Sequence, residues 1–227
     1  MCIGIDFYNK KIVMKKEILL GIVFVFVASA CTTDNFIKTG ICNGRFDGSL
    51  LDYLEHPGHS YDWDSTAVMV RHAGEDVVRL FEGQDPDHPE ITFFGPTNHT
   101  IRRYLLQKKL TKVSDIAPEL CKRILLSHVL DGKLYRDSVP LGKRGTGGNL
   151  IEDGTMCTTL EGTVFGLFAS RGVWQGVNEA GPKALTIRSS NTLREIKVAS
   201  TDVEPDNCVV HSLVYGYKLE EMHRDFR

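Results

Sequence analysis

Proline is scarce in this 227-residue sequence, at 8 residues, and neither a Gly-X-Y period nor a low-complexity stretch is present. With 42% hydrophobic and 25% charged residues the chain sits in the globular range, which excludes a disordered or collagen-like protein. An excess of basic charge is also missing. The 27 Lys+Arg face 29 Asp+Glu and form no basic stripe, so no surface is offered to a phosphate backbone and nucleic acid is not an expected partner. No segment repeats with a period of 20–50 residues, which excludes solenoids and propellers. No apolar run reaches the roughly 20 residues that a membrane-crossing helix needs.

The longest apolar run, Ile18–Ala30, has 13 residues and follows Met14-Lys15-Lys16-Glu17. A basic start, a hydrophobic stretch and a small-residue site in that order make a secretory signal peptide. Val27-Ala28-Ser29-Ala30-Cys31 resembles a bacterial lipobox, which makes Cys31 the residue expected to be acylated and to become the new N-terminus. Each buried acyl CH₂ is worth about 0.8 kcal/mol, so several chains together hold a protein to a membrane almost permanently. The chain is accordingly read as an upstream extension (1–13), a lipoprotein signal (14–30), a lipidated tether (31–43), one domain (44–220) and a C-terminal tail (221–227). Removing residues 1–31 takes away four lysines and two acids, which leaves 23 bases against 27 acids and a mildly acidic exported part.

Helical signals dominate the first half of the domain. Ser49 is placed to cap a short helix carrying Leu50, Leu51 and Leu54. Trp63, Ala67, Met69 and Val70 form one apolar face and Val77, Val78 and Phe81 the next, with Gly74 as the break between two helices. Ile91-Thr92-Phe93-Phe94 reads as a strand that stops at Gly95-Pro96, after which Thr97-Asn98 is expected to cap a helix through Ile101, Tyr104 and Leu105. A further helix is predicted from Pro118, with Leu120, Ile124, Leu125 and Val129 inward, ending at Asp131-Gly132. From Leu141 onward alternating segments and glycine-rich turns predict mainly antiparallel strands, at Thr158–Leu160, Val164–Phe168, Val173–Val177, Ala184–Ile187, Ile196–Ala199 and Val209–Leu219. The fold class is therefore α+β, with N-terminal helices packed on antiparallel strands.

Three of these segments together resemble the fasciclin-like domain. Ile91–Asn98 (Ile-Thr-Phe-Phe-Gly-Pro-Thr-Asn) is similar to that family's Thr-Val-Phe-Ala-Pro-Thr-Asn corner, with Gly95 in place of alanine. Leu125–Lys133 is similar to Leu-Leu-Tyr-His-Val-Leu-Pro-Gly-Lys, and Val203–Leu213 to Ile-x-x-x-Asn-Gly-Val-Val-His-Val-Ile, with Cys208 in the glycine position. The resemblance implies a single wedge of helices and strands that works outside the cell, binds carbohydrate or protein in adhesion, and has no catalytic machinery or cofactor. Where animal members carry Tyr-His this chain has Ser127-His128, so integrin-type adhesion is not carried over.

The motif residues Pro96, Thr97, Asn98, His128, Asn207 and His211 are expected to maintain the fold. Buried imidazoles need hydrogen-bond partners or a lowered pKa, and His128 and His211 both fall on apolar faces. His56, His59 and His88, with Asp62, Asp64, Asp85 and Asp87, lie in loops without helical ligand spacing, so no metal site is expected. Gly142–Asn149 lacks the Walker order and no Gly-x-Ser-x-Gly element occurs, which leaves neither nucleotide binding nor nucleophilic catalysis with a signature. Cys42, Cys121, Cys157 and Cys208 allow three disulfide pairings and favour none. Trp63 is expected in the core, whereas Tyr61 and Trp174 are the candidates for holding a ligand against a flat aromatic face.

These observations point to a lipid-anchored binding module of the bacterial cell envelope, at the outer membrane, that recognises a glycan or an envelope protein; the alternative is an accessory subunit of an outer-membrane polysaccharide-uptake complex with no ligand of its own, and a hydrolase ranks last. Replacing the acylated residue tests the anchor. Cys31→Ala is expected to abolish labelling by a fatty-acid probe and to release the protein from the membrane fraction, and unchanged labelling and sedimentation would refute the lipobox.

Overall fold

The computed structural model describes residues 44–144, 150–152 and 154–226. The signal, Cys31, the tether and Cys42 lie outside the described residues, as do 145–149 of the glycine-rich stretch.

The helical half follows its capping and breaking residues. Helix α1 (Leu50–Glu55) starts at a reciprocal cap, in which the Asp52 N–H donates to Ser49 Oγ at 3.1 Å and the Ser49 N–H donates to the Asp52 carboxylate at 2.9 Å. Helices α2 (Ser60–Ala73) and α3 (Glu75–Phe81) are separated by Gly74, whose φ of 124° a side chain would resist. Strand β1 (Ile91–Gly95) leads into α4 (Asn98–Lys108), and α5 (Pro118–Leu126) opens on its proline.

The predicted fifth helix is too long. It ends at Leu126, and Val129–Asp131 forms strand β2, because pairing Ile91 with Asp131 and Phe93 with Val129 supplies partners for a β1 edge that would otherwise be bare. A two-stranded ribbon, β3 (Lys143–Arg144) with β4 (Leu150–Glu152), comes next. Then follow β5 (Thr155–Thr158), β6 (Val164–Arg171), β7 (Lys183–Ser189), β8 (Glu195–Val203) and β9 (Cys208–Leu213), and finally a short helix α6 (Leu219–Met222).

Seven strands form one sheet in the order β2-β1-β9-β8-β7-β6-β5. Every neighbouring pair is antiparallel except β1 and β9, which run parallel from Ile91 beside Cys208 to Gly95 beside Ser212. The architecture is thus α+β, a helical layer on a mixed, mainly antiparallel sheet. Another expectation needs correction. Val173–Val177 is a tight turn rather than a strand, since Trp174 and Val177 exchange both backbone hydrogen bonds across two residues. The C-terminal tail is packed on the domain through residue 226. Met222 and Phe226 are buried, and Ser189 Oγ donates to the Met222 carbonyl at 2.7 Å, so the last turn closes over the core.

One continuous apolar core joins the helices to the sheet, with Phe81, Phe93, Phe94 and Phe165 at its centre. Cys121, Cys157 and Cys208 lie in it as free buried thiols, and burial pushes Cys121 and Cys157 up to about 11, which keeps them protonated and unreactive. Trp63, 3% exposed, packs across the end of β1. A Cβ on Gly95 would meet Trp63 Cζ3 at 2.5 Å and Cη2 at 2.6 Å, which explains why this chain has glycine there. Gly95→Ala should therefore overpack the corner and cost about 1–3 kcal/mol in urea unfolding. Combining it with Trp63→Leu should recover part of that loss, and strictly additive effects would refute the contact.

Candidate functional site

The motif residues work as buried polar ties. Pro96 lends its carbonyl to the Thr66 hydroxyl at 2.7 Å. Asn98, expected to cap its own helix, instead ties down α2: its Nδ2 donates to the carbonyls of Ser60 and Tyr61, both at 2.8 Å, and its Oδ1 accepts from the Ser65 N–H at 2.7 Å. It is the first residue of α4, where a side chain points back towards the preceding turn. Thr97 takes the cap position by backbone alone, and its hydroxyl is buried without a partner. Asn207 accepts from the Leu50 N–H at 2.8 Å and donates to the Leu80 and Phe81 carbonyls, which joins the start of α1 to the end of α3.

His128 lies just beyond α5 and is fully buried. Its Nδ1–H donates to the Ile124 carbonyl at 2.7 Å, which leaves Nε2 to accept from the Tyr217 hydroxyl at 2.7 Å. Those partners require a neutral ring, and burial lowers its pKa to about 4. Tyr217, also buried, extends the tie, since its carbonyl accepts from Thr100 Oγ1 and from Arg103. His211 donates from Nε2 to the Leu134 carbonyl at 2.8 Å, lies against the Phe94 ring, and is likewise lowered by burial. Ser127 accepts from the Thr163 hydroxyl and makes no nucleophile–base pair with His128. Among the described residues no three His, Cys, Asp or Glu side chains are grouped to hold a metal. The loop histidines have other duties: His59 bonds the Tyr53 carbonyl, His56 accepts from the Gly58 N–H, and His88 pairs with Asp131.

Tyr61 and Trp174 lie on the surface, at different ends of the sheet. Tyr61, 70% exposed, stands edge-on to His99 with ring centroids 5.5 Å apart, and His99 stacks on Tyr215 at 4.4 Å. The Tyr215 hydroxyl donates to Asp62 at 2.9 Å, and Arg103 holds the Tyr215 carbonyl, so this ring is fixed from behind. Beside the three rings runs a groove of about 550 Å³ between α2 and α4, lined by Tyr61, Asp64, Ser65, Val68, His99 and Arg102, with Thr111 and Lys112 at its far end. His99 Nε2 is buried there without a hydrogen-bond partner. Trp174, 59% exposed, stands on the turn between β6 and β7.

Sequence reasoning found Tyr61 but missed His99 and Tyr215. His99 directly follows the Asn98 motif, which was a local signal. Tyr215 falls inside the strand expected over Val209–Leu219, but the strand stops at Leu213 and Tyr215 is half exposed.

A model of the fasciclin domain matches residues 66–213, more than half of the chain. The chain belongs to the fasciclin domain family. The matched span runs from Thr66, which bonds the Pro96 carbonyl, to Leu213 at the end of β9, and so contains all three motif segments. Among solved structures, a FAS1 domain pair from the insect cell adhesion molecule fasciclin I is similar, with a TM-score of 0.43 and 18% identity over 64% of this chain and 41% of that one. This chain thus spans well under half the length of that domain pair. No curated protein matches it significantly. Fasciclin domains are adhesion-type modules, and here the family's histidines serve the fold.

The fasciclin ties make stability pH-dependent in a defined direction. The folded His128 pKa, about 4, lies below the 6.5 of an unperturbed imidazole, so the unfolded chain binds the extra proton. Its contribution is complete above pH 6.5 and is lost as pH falls towards 4, by on the order of 3 kcal/mol. Urea unfolding at stepped pH should show that loss, and an NMR titration of the folded His128 ring with a midpoint near 6.5 would refute it.

Proposed function

We propose that this fasciclin domain is an adhesion module of the bacterial cell envelope, tethered to the outer membrane through an acylated Cys31, which holds a glycan along the groove between α2 and α4. The observation that carries the reading is the aromatic row in which exposed Tyr61 and half-buried His99 line that groove and His99 in turn packs on exposed Tyr215. Sugar rings present flat C–H faces that pack on aromatic rings, and polar groups at the edge set their orientation. Here those polar groups are Asp64, Ser65, Arg102, Thr111 and Lys112. Asp62 and Arg103 immobilise Tyr215 in advance, which lowers the ordering cost of binding.

The test is a glycan array probed with the full chain, followed by titration of the best ligand. Tyr61→Ala and Tyr215→Ala should each weaken binding by on the order of tenfold, since an aromatic stacking contact contributes about 0.5–1.5 kcal/mol beyond its area burial. Neither should alter the unfolding midpoint by more than a degree or two, since Tyr61 lies outside the core and Tyr215 is half exposed. Absence of saturable binding, or full affinity in the double variant, would overturn the glycan reading.

A further inference from the structure

The hairpin between β6 and β7 is the second exposed aromatic feature, and its position relates it to the tether. Gln175 and Gly176 have φ of 49° and 82°, and with the two backbone hydrogen bonds between Trp174 and Val177 they make a tight two-residue turn. Farther down, the Gly181 N–H donates to the Gly172 carbonyl at 2.9 Å, and Arg171 reaches the Gly181 carbonyl. The excursion is therefore a built hairpin. It presents Val173, Trp174 and Val177 at 64%, 59% and 60% exposure.

The root of this hairpin is joined by contacts to the point where the tether meets the domain. Lys183, at its base, donates to the Asp137 carbonyl at 3.0 Å, and the N–H of the neighbouring Arg136 donates to Asp202 Oδ1 at 2.8 Å. Gly44 in turn packs so closely on the Asp202 carbonyl that a Cβ there would approach it to 2.4 Å. Gly44, Asp202 and the hairpin thus share one end of the sheet. The groove with Tyr61, His99 and Tyr215 lies at the opposite end, because α4 follows the last residue of β1 and Tyr215 follows the last residue of the parallel β9. Only 12 residues, 32–43, separate Cys31 from Gly44, a reach of at most about 45 Å. The chain therefore enters the domain at the same end of the sheet as the hairpin.

From this arrangement we propose that the Trp174 hairpin docks on the bilayer that carries the Cys31 lipid, with Trp174 at the headgroup level and Val173 and Val177 beside it. Tryptophan is suited to that depth because its ring is apolar and its N–H polar. The charges around this end favour contact, since they are largely matched in pairs: Arg45 with Asp206, Lys133 with Glu90 and Glu204, and Arg136 with Asp137 and Asp202. Docking would fix the domain with its glycan groove facing away from the membrane. The inference rests on the lipid-anchor part of the proposed function.

Tryptophan fluorescence of the full lipidated protein in phosphatidylcholine vesicles, with and without shallow brominated acyl chains, provides the test. The chain has two tryptophans, and Trp63 is buried in the core and so gives a constant background. The expected result is a blue shift of emission on vesicle binding and quenching by the brominated lipid, both lost in Trp174→Phe. A protein that sediments with the vesicles through Cys31 yet keeps a quencher-insensitive Trp174 overturns the docking and leaves the anchor standing. A protein that carries no lipid and does not sediment overturns both.

Discussion

The parallel ladder between β1 and β9 is the constraint on which the rest of the structure depends. It pairs Ile91–Gly95 with Cys208–Ser212, residues more than a hundred positions apart, and it is the one parallel strand pair in the described sheet, whose other strand pairs are neighbours in sequence. Closing it brings the helical half, which precedes and follows β1, onto the strands of the second half. Loop-closure entropy opposes a contact of that separation, so it must be held from several sides. Those holds are the buried polar ties. Asn207, immediately before β9, joins α1 and α3; His211, within β9, holds the Leu134 carbonyl beyond β2; and Tyr217, after β9, joins His128 and α4.

This arrangement explains why His128 and His211 are held neutral by burial and spent on tying elements together. An imidazole that donates to a carbonyl at one nitrogen and accepts at the other bridges two elements with directional bonds, and burial excludes its charged form. The same residues that look reactive on a page, Ser127 beside His128 and three free thiols, are protonated, buried and occupied with packing. Reactivity would need solvent and an activating neighbour, and neither is available there.

The exposed aromatic side chains lie at the two ends of the sheet, where the ladder stops. One end carries aromatic rings beside a groove, with Tyr215 held from behind by Asp62 and Arg103; the other carries the hairpin and Gly44, where the described domain begins. Because β1 and β9 are parallel, the segments that follow both strands come together at one end. That is how His99 and Tyr215 come to stack although 115 intervening residues separate them.

Local chemistry settled much of this in advance. The Ser49 cap, the Gly74 break, the β1 strand, the antiparallel second half and the core position of Trp63 all follow from side-chain type and period, because caps, φ preferences and alternation act over a few residues. The differences fell where a distant partner decided: Val129 left a helix to pair with β1, and Asn98 turned from its own helix to α2. The sequence alone thus determined the family, the α+β class and the residues that tie the fold. Tertiary structure alone decided which aromatic side chains meet and which end of the sheet they occupy, since those follow from the non-local β1–β9 register, which no local pattern encodes.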